Sequence, residues 1–190
     1  MKKILFALVV CLFFIQGHAQ YSNRSFYKGI KAGYINSRIS NLENNSKSSF
    51  YIGLQAPIVY NEIFSFQPEA VYSRRGARNI EIAGITENQT SASKKVDLNL
   101  GYVDFNLISK LSYDIYSIHV GPGASVLVHS SDKKAGVMEV TLNFGAGVQI
   151  SPDMGIELRW TVGSGDIGIS NQENVTTGSQ YLQIGTYYNF

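Results

Sequence analysis

From residue 29 to the last residue, apolar side chains fall on every second position, and the alternation resumes after each interruption. The runs are Ile30 to Tyr34, Phe50 to Tyr60, Phe64 to Tyr72, Val103 to Leu111, Tyr116 to Val128, Val140 to Ile150, Ile156 to Val162 and Leu182 to Phe190. None of their in-phase positions is charged, in a chain that is 16% charged. The intervening positions hold Lys31, Gln55, Gln67, Glu69, Asp104, Asn106, Lys110, His119, Asn143, Glu157, Arg159, Gln183 and many glycines. A period of two with one apolar and one polar face predicts strands, here eight of them. No sustained 3.6-residue pattern competes with it.

The connections have their own rhythm. Residues 61–63, 112–115 and 151–154 read as tight turns, whereas 36–49, 73–97, 129–138 and 164–179 read as longer polar loops. Short and long connections alternate, as in an antiparallel meander with one smooth and one ragged end. That matches a bacterial outer-membrane barrel, with turns toward the periplasm and loops outward. A soluble lipocalin-like barrel also alternates, but with its apolar face turned inward around a ligand. The aromatic residues favour the membrane. Tyr60, Phe64, Tyr116, Tyr188 and Phe190 share the apolar face near one rim, and Phe50, Tyr72 and Trp160 lie nearer the other. Two such girdles suit the headgroup layers, where amphipathic rings settle.

The first residues change the compartment. Lys2 and Lys3 precede an apolar run from Ile4 to Ile15, and Gly17-His18-Ala19 forms a small-x-small site before Gln20. This is the layout of a secretory signal peptide. The run spans only about 18 Å as a helix, short of the roughly 30 Å needed to cross a bilayer. Cys11 follows a bulky Val10 inside the run, which argues against a lipidation site. Without the two leader lysines the chain has 14 basic and 14 acidic residues, so no basic surface is left over for nucleic acid. Composition adds 18 Gly, 12 Tyr and 10 Phe, which suits aromatic-rich strands with glycines where backbones or side chains crowd.

Five segments in order, Gly29-Ile30-Lys31-Ala32-Gly33, Phe66-Gln67-Pro68-Glu69-Ala70-Val71-Tyr72-Ser73, Tyr102-Val103-Asp104-Phe105-Asn106 with Lys110, Val120-Gly121-Pro122-Gly123 and Leu158-Arg159-Trp160, carry a resemblance. Together they resemble the PorT-like outer-membrane barrel family of Bacteroidota, across essentially the whole mature chain. Asp104 stands where that family usually has Glu, Asn106 where it has Pro, and Trp160 where it has Tyr. The resemblance implies a small outer-membrane barrel of the porin-like kind. Some relatives are associated with protein secretion, but the family supplies no mechanism.

The candidate chemistry sits in the lumen. Lys31, Glu69, Asp104, Lys110, Glu157 and Arg159 all face inward in this register. Eight strands enclose a space that side chains fill, so these charges are expected to pair into a plug. A polar conduit for ions or small solutes, as in a narrow porin-like channel, is the alternative. For catalysis the mature chain offers only His119 and His129, with no Ser-His spacing that brings a nucleophile to a base. An outer-membrane lipid hydrolase is therefore a minor reading, and no enzyme activity, metal or cofactor is expected. The prediction is one all-β domain, an eight-stranded antiparallel up-and-down transmembrane β-barrel over 20–190, after a cleaved signal peptide over 1–19. Its role is structural or interaction-mediating in the bacterial outer membrane, as a monomer. Its partners are membrane lipids and lipopolysaccharide, with a protein partner at loop 73–97.

Overall fold

The computed structural model describes residues 25–39, 45–82, 94–130, 138–165 and 179–190. The signal peptide expected over 1–19 lies outside the described residues. Among the described residues, ten strands form one antiparallel sheet: β1 (Ser25–Phe26), β2 (Gly29–Ile39), β3 (Asn45–Gln55), β4 (Ile58–Val59), β5 (Phe64–Ile82), β6 (Lys94–Tyr113), β7 (Tyr116–Ser130), β8 (Met138–Ser151), β9 (Met154–Gly165) and β10 (Ser179–Asn189). Eight of them are long staves in meander order. Pairing of β10 with β2 and of β5 with β6 closes the sheet into a barrel, which removes the edges of an open sheet.

The expected alternation holds along the staves, and it is inside-out. Ile30, Ile52, Leu54, Leu107, Leu142, Leu158 and Ile184 are exposed on the outer wall, while Lys31, Glu69, Asn143 and Arg159 are buried. The lipocalin-like alternative, which needs the apolar face inward, is overturned by this distribution.

The strands differ from expectation at their ends. The stave expected to run unbroken from Phe50 to Tyr60 stops at Gln55, and Ile58–Val59 forms the separate β4, paired with β1 and β5. Pro57 lies in the break and has no N–H to donate, although its carbonyl accepts from Tyr27 N at 3.0 Å. At the other end, strands replace much of the expected loops. Residues 36–39 and 45–49 belong to β2 and β3, 73–82 and 94–97 to β5 and β6, and 164–165 and 179 to β9 and β10. Residues 129–130 likewise complete β7, and Met138 opens β8. The apolar pattern ends where the lipid ends, but backbone ladders need no apolar face. Beyond the apolar belt they continue with polar residues on both sides, such as Asn36 opposite Ser48.

The smooth end is built by short-range devices. Asn61 Oδ1 accepts from Ile63 N at 3.0 Å and Phe64 N at 2.7 Å, and Ser151 Oγ accepts from Met154 N at 3.1 Å. Between Tyr113 and Tyr116 the chain reverses in two residues, with Asp114 at φ 53°. Asp tolerates that left-handed conformation better than most residues.

Candidate functional site

Each inward charge is placed by the strand that carries it. Lys31 projects from β2, Glu69 from β5, and Glu157 and Arg159 from the same face of β9, two residues apart. These four form one cluster across the lumen. Arg159 grips Glu69 with both arms, Nη1 to Oε2 at 2.5 Å and Nη2 to Oε1 at 2.9 Å, and reaches Glu157 Oε2 at 3.3 Å. Lys31 Nζ lies 3.0 Å from Glu69 Oε1 and also ion-pairs with Glu157. Gln67 donates to Glu69 Oε1 at 2.7 Å and to Gln55 Oε1 at 3.2 Å. Such two-armed guanidinium–carboxylate bonds fix geometry as well as adding energy. The group is neutral, two cations against two anions.

A second cluster was not anticipated. Arg75, expected in the loop 73–97, is instead a lumen residue of β5 with 2% exposure. It ion-pairs with Asp104 on β6 and lies 3.4 Å from Glu139 Oε2 on β8. Its Nε donates to Ser73 Oγ at 3.0 Å, and Ser73 Oγ donates to Asp104 Oδ2 at 2.8 Å. The guanidinium is sandwiched by Tyr181 at 3.9 Å and Tyr102 at 4.7 Å from the ring centroids. Glu139 is anchored by Ser179, which donates its backbone N–H at 2.6 Å and its hydroxyl at 2.7 Å to Oε1. Asp104 thus belongs with Arg75, a cation outside the expected lumen set. A signal existed for both missed residues. Arg75 is in phase with Gln67, Glu69 and Ser73, and Glu139 with Thr141 and Asn143.

Neutral polar side chains separate the clusters. Asn143 Nδ2 donates to Asn106 Oδ1 at 3.2 Å and to Gly121 O at 3.1 Å, and Thr161 donates to Asn143 Oδ1 at 2.8 Å. Glycines make room for the long side chains. A Cβ on Gly163 would come within 2.1 Å of Glu139 Oε1, and one on Gly123 within 2.1 Å of Asn106 Oδ1.

Two expected residues stand apart. Lys110 makes no ion pair among the described residues, and its ammonium packs on Tyr187 instead, 4.7 Å from the ring centroid. His119 is buried opposite Lys110 in the register, and its Nε2 has no hydrogen-bond partner among the described residues. His129 is exposed near the end of β7.

On the outer wall Phe50, Tyr60, Tyr116, Trp160, Tyr188 and Phe190 are exposed, whereas Phe64 and Tyr72 are half-buried. Phe64 packs edge-on against Phe66 at 4.8 Å, and Trp160, near the middle of β9, lies 6.2 Å from Phe144. Tyr34 and Tyr113 are further outward-facing rings, Tyr113 being 83% exposed in the β6–β7 hairpin.

An apolar outer wall around a charged, closed interior is the arrangement of a barrel immersed in lipid. The model of a family described as outer membrane protein β-barrel domain matches residues 5–190. The chain belongs to this family. As an outer-membrane barrel it is placed in the bacterial outer membrane. Among solved structures it is similar to Neisserial surface protein A, at 12% identity with a TM-score of 0.52, covering 89% of this chain and 100% of that one. It is also similar to Ail, the attachment invasion locus protein of Yersinia pestis, at 12% identity with a TM-score of 0.51, covering 86% and 98%. These likenesses concern the fold alone. No curated protein matches the chain.

Proposed function

We propose that this outer-membrane barrel is a non-conducting, PorT-like protein whose role is structural or interaction-mediating, exercised through its extracellular hairpin without cofactor or catalysis. The observation that carries the reading is the filled lumen. Arg159 and Arg75 are buried at 1% and 2% exposure, each bonded to carboxylates on other strands. A passing ion would have to part these pairs and leave charges unmet, at several kcal/mol each.

The hairpin supports the interaction role. β5 and β6 run for 19 and 20 residues, against 11 for β2, β3 and β10. Among the described residues, Lys94 to Leu98 of β6 lie beyond the β7 ladder, which begins at Leu100 opposite Ser130, and their ladder partners are on β5. A strand edge raised above the membrane suits addition of a strand from a partner protein. The PorT-like resemblance, carried by five segments together between Gly29 and Trp160, adds protein secretion as the setting in which some relatives act.

Purified protein in planar bilayers tests the plug, and electrical silence is expected. Reproducible single-channel steps would return the narrow porin-like reading. Cross-linking in intact cells tests the hairpin. A specific protein captured by wild type should be lost when residues 80–96 are replaced by a two-residue turn. Equal capture by both chains removes the hairpin from the reading.

A further inference from the structure

The lumen charges do not balance cluster by cluster: the Arg75 cluster holds one carboxylate in excess, and one cation stands apart from both clusters. Glu69 and Glu157 are met by Lys31 and Arg159, and Asp104 and Glu139 by Arg75. Lys110 on β6 is the fourth lumen cation, and among the described residues no carboxylate comes within 4.0 Å of its Nζ. Among these residues its one hydrogen-bond partner is the Tyr187 hydroxyl at 3.5 Å. A neutral phenol and a ring face stabilise an ammonium without cancelling its charge.

The surroundings of Lys110 are a cavity. It lines a space of about 250 Å³ at the turn end of the barrel, together with Ser65, Ser112, Gln149, Tyr187 and Asn189. This end faces the periplasm in outer-membrane barrels. The wall is rich in donors. Asn189 Oδ1 accepts from Gln55 Nε2 at 2.8 Å, which leaves the Asn189 NH2 for another acceptor. The Ser65 and Ser112 hydroxyls stand in the same wall. Asp153, a carboxylate of that wall, is exposed on the β8–β9 turn, where solvent screens it. The volume is that of roughly eight water molecules at about 30 Å³ each, which suits a small solute and excludes a polymer.

We propose that this mouth is a binding site for a small free oxyanion, a carboxylate or inorganic phosphate, entering from the periplasm. Lys110 supplies the counter-charge, and the Ser65, Ser112 and Asn189 side chains supply directional hydrogen bonds. Binding ends at the mouth, because the Lys31, Glu69, Glu157 and Arg159 cluster closes the lumen beyond it.

The test is titration of wild-type barrel in zwitterionic detergent, with inorganic phosphate and with succinate, at constant ionic strength set by chloride. Calorimetry and amide shifts at Ser112 and Asn189 report binding. Saturable binding of at least one anion is expected. Lys110→Met should weaken it by about tenfold or more, since a charge-assisted bond is lost, while Lys110→Arg retains it. Heat-modifiable mobility shows that each variant is folded. Should Lys110→Met fail to fold, Asn189→Asp replaces it and should abolish binding by placing a carboxylate in the wall. The proposal is overturned by absence of saturable binding to either anion, or by unchanged affinity in a folded Lys110→Met or Asn189→Asp chain. Interaction only with phosphatidylglycerol-containing micelles also overturns it and assigns the mouth to a lipid headgroup.

Discussion

The two charge clusters use the same residue types but satisfy them differently. Around Arg159 each charge is met chiefly by opposite charge, from strands on different sides of the lumen. Around Arg75 one cation serves two carboxylates, and hydroxyls and rings do the rest: Ser73 on Asp104, Ser179 on Glu139, and Tyr102 and Tyr181 on the guanidinium. The first arrangement ties β2, β5 and β9 together, and when Arg159 is lost Lys31 still faces both carboxylates. The second leans on one cation, and without it Asp104 and Glu139 keep only neutral hydroxyl and amide donors.

That contrast predicts unequal costs. Arg75→Ala leaves Asp104 and Glu139 buried with no ion-pair partner among the described residues, and should lower stability by about 3–5 kcal/mol, read as a shift in the urea midpoint of the refolded barrel. Leu142→Arg leaves both clusters intact and places a charge on the lipid face. It should cost about 2–4 kcal/mol and reduce assembly in vesicles, so normal assembly would show that Leu142 does not face lipid. Arg159→Ala should cost about 1–3 kcal/mol, since Glu69 and Glu157 retain Lys31 and Glu69 also retains Gln67. A cost equal to that of Arg75→Ala would erase the proposed difference between the clusters. Gly163→Ala drives a methyl into Glu139 and should cost about 1 kcal/mol, with the Ser179 amide signal moving in NMR spectra. Asp114→Gly relieves a left-handed φ of 53° far from both clusters and should change stability by only about 0.5 kcal/mol, also by urea midpoint.

The pattern along the chain was readable wherever lipid imposes it. Residues from Ile30 to Tyr34 or Val140 to Ile150 alternate because one face meets hydrocarbon and the other a polar lumen, and that asymmetry is written locally. It faded at the loop end, where both faces are polar. Arg75 and Glu139 were missed there, although the same period, continued past Ser73 and before Thr141, points both of them inward.

The sequence by itself determined the number of long staves, the tight turns at one end, and the inward facing of Lys31, Glu69, Asp104, Lys110, Glu157 and Arg159. Period two is a property of each strand alone, so closure of the barrel is not needed to read it. Only the tertiary structure decided the partners: Arg159 with Glu69, 90 residues away, Asp104 with Arg75, and Lys110 with a tyrosine. Which strands face one another across the lumen, and at what height, follows from closure and stagger of the whole sheet. No single strand carries that information.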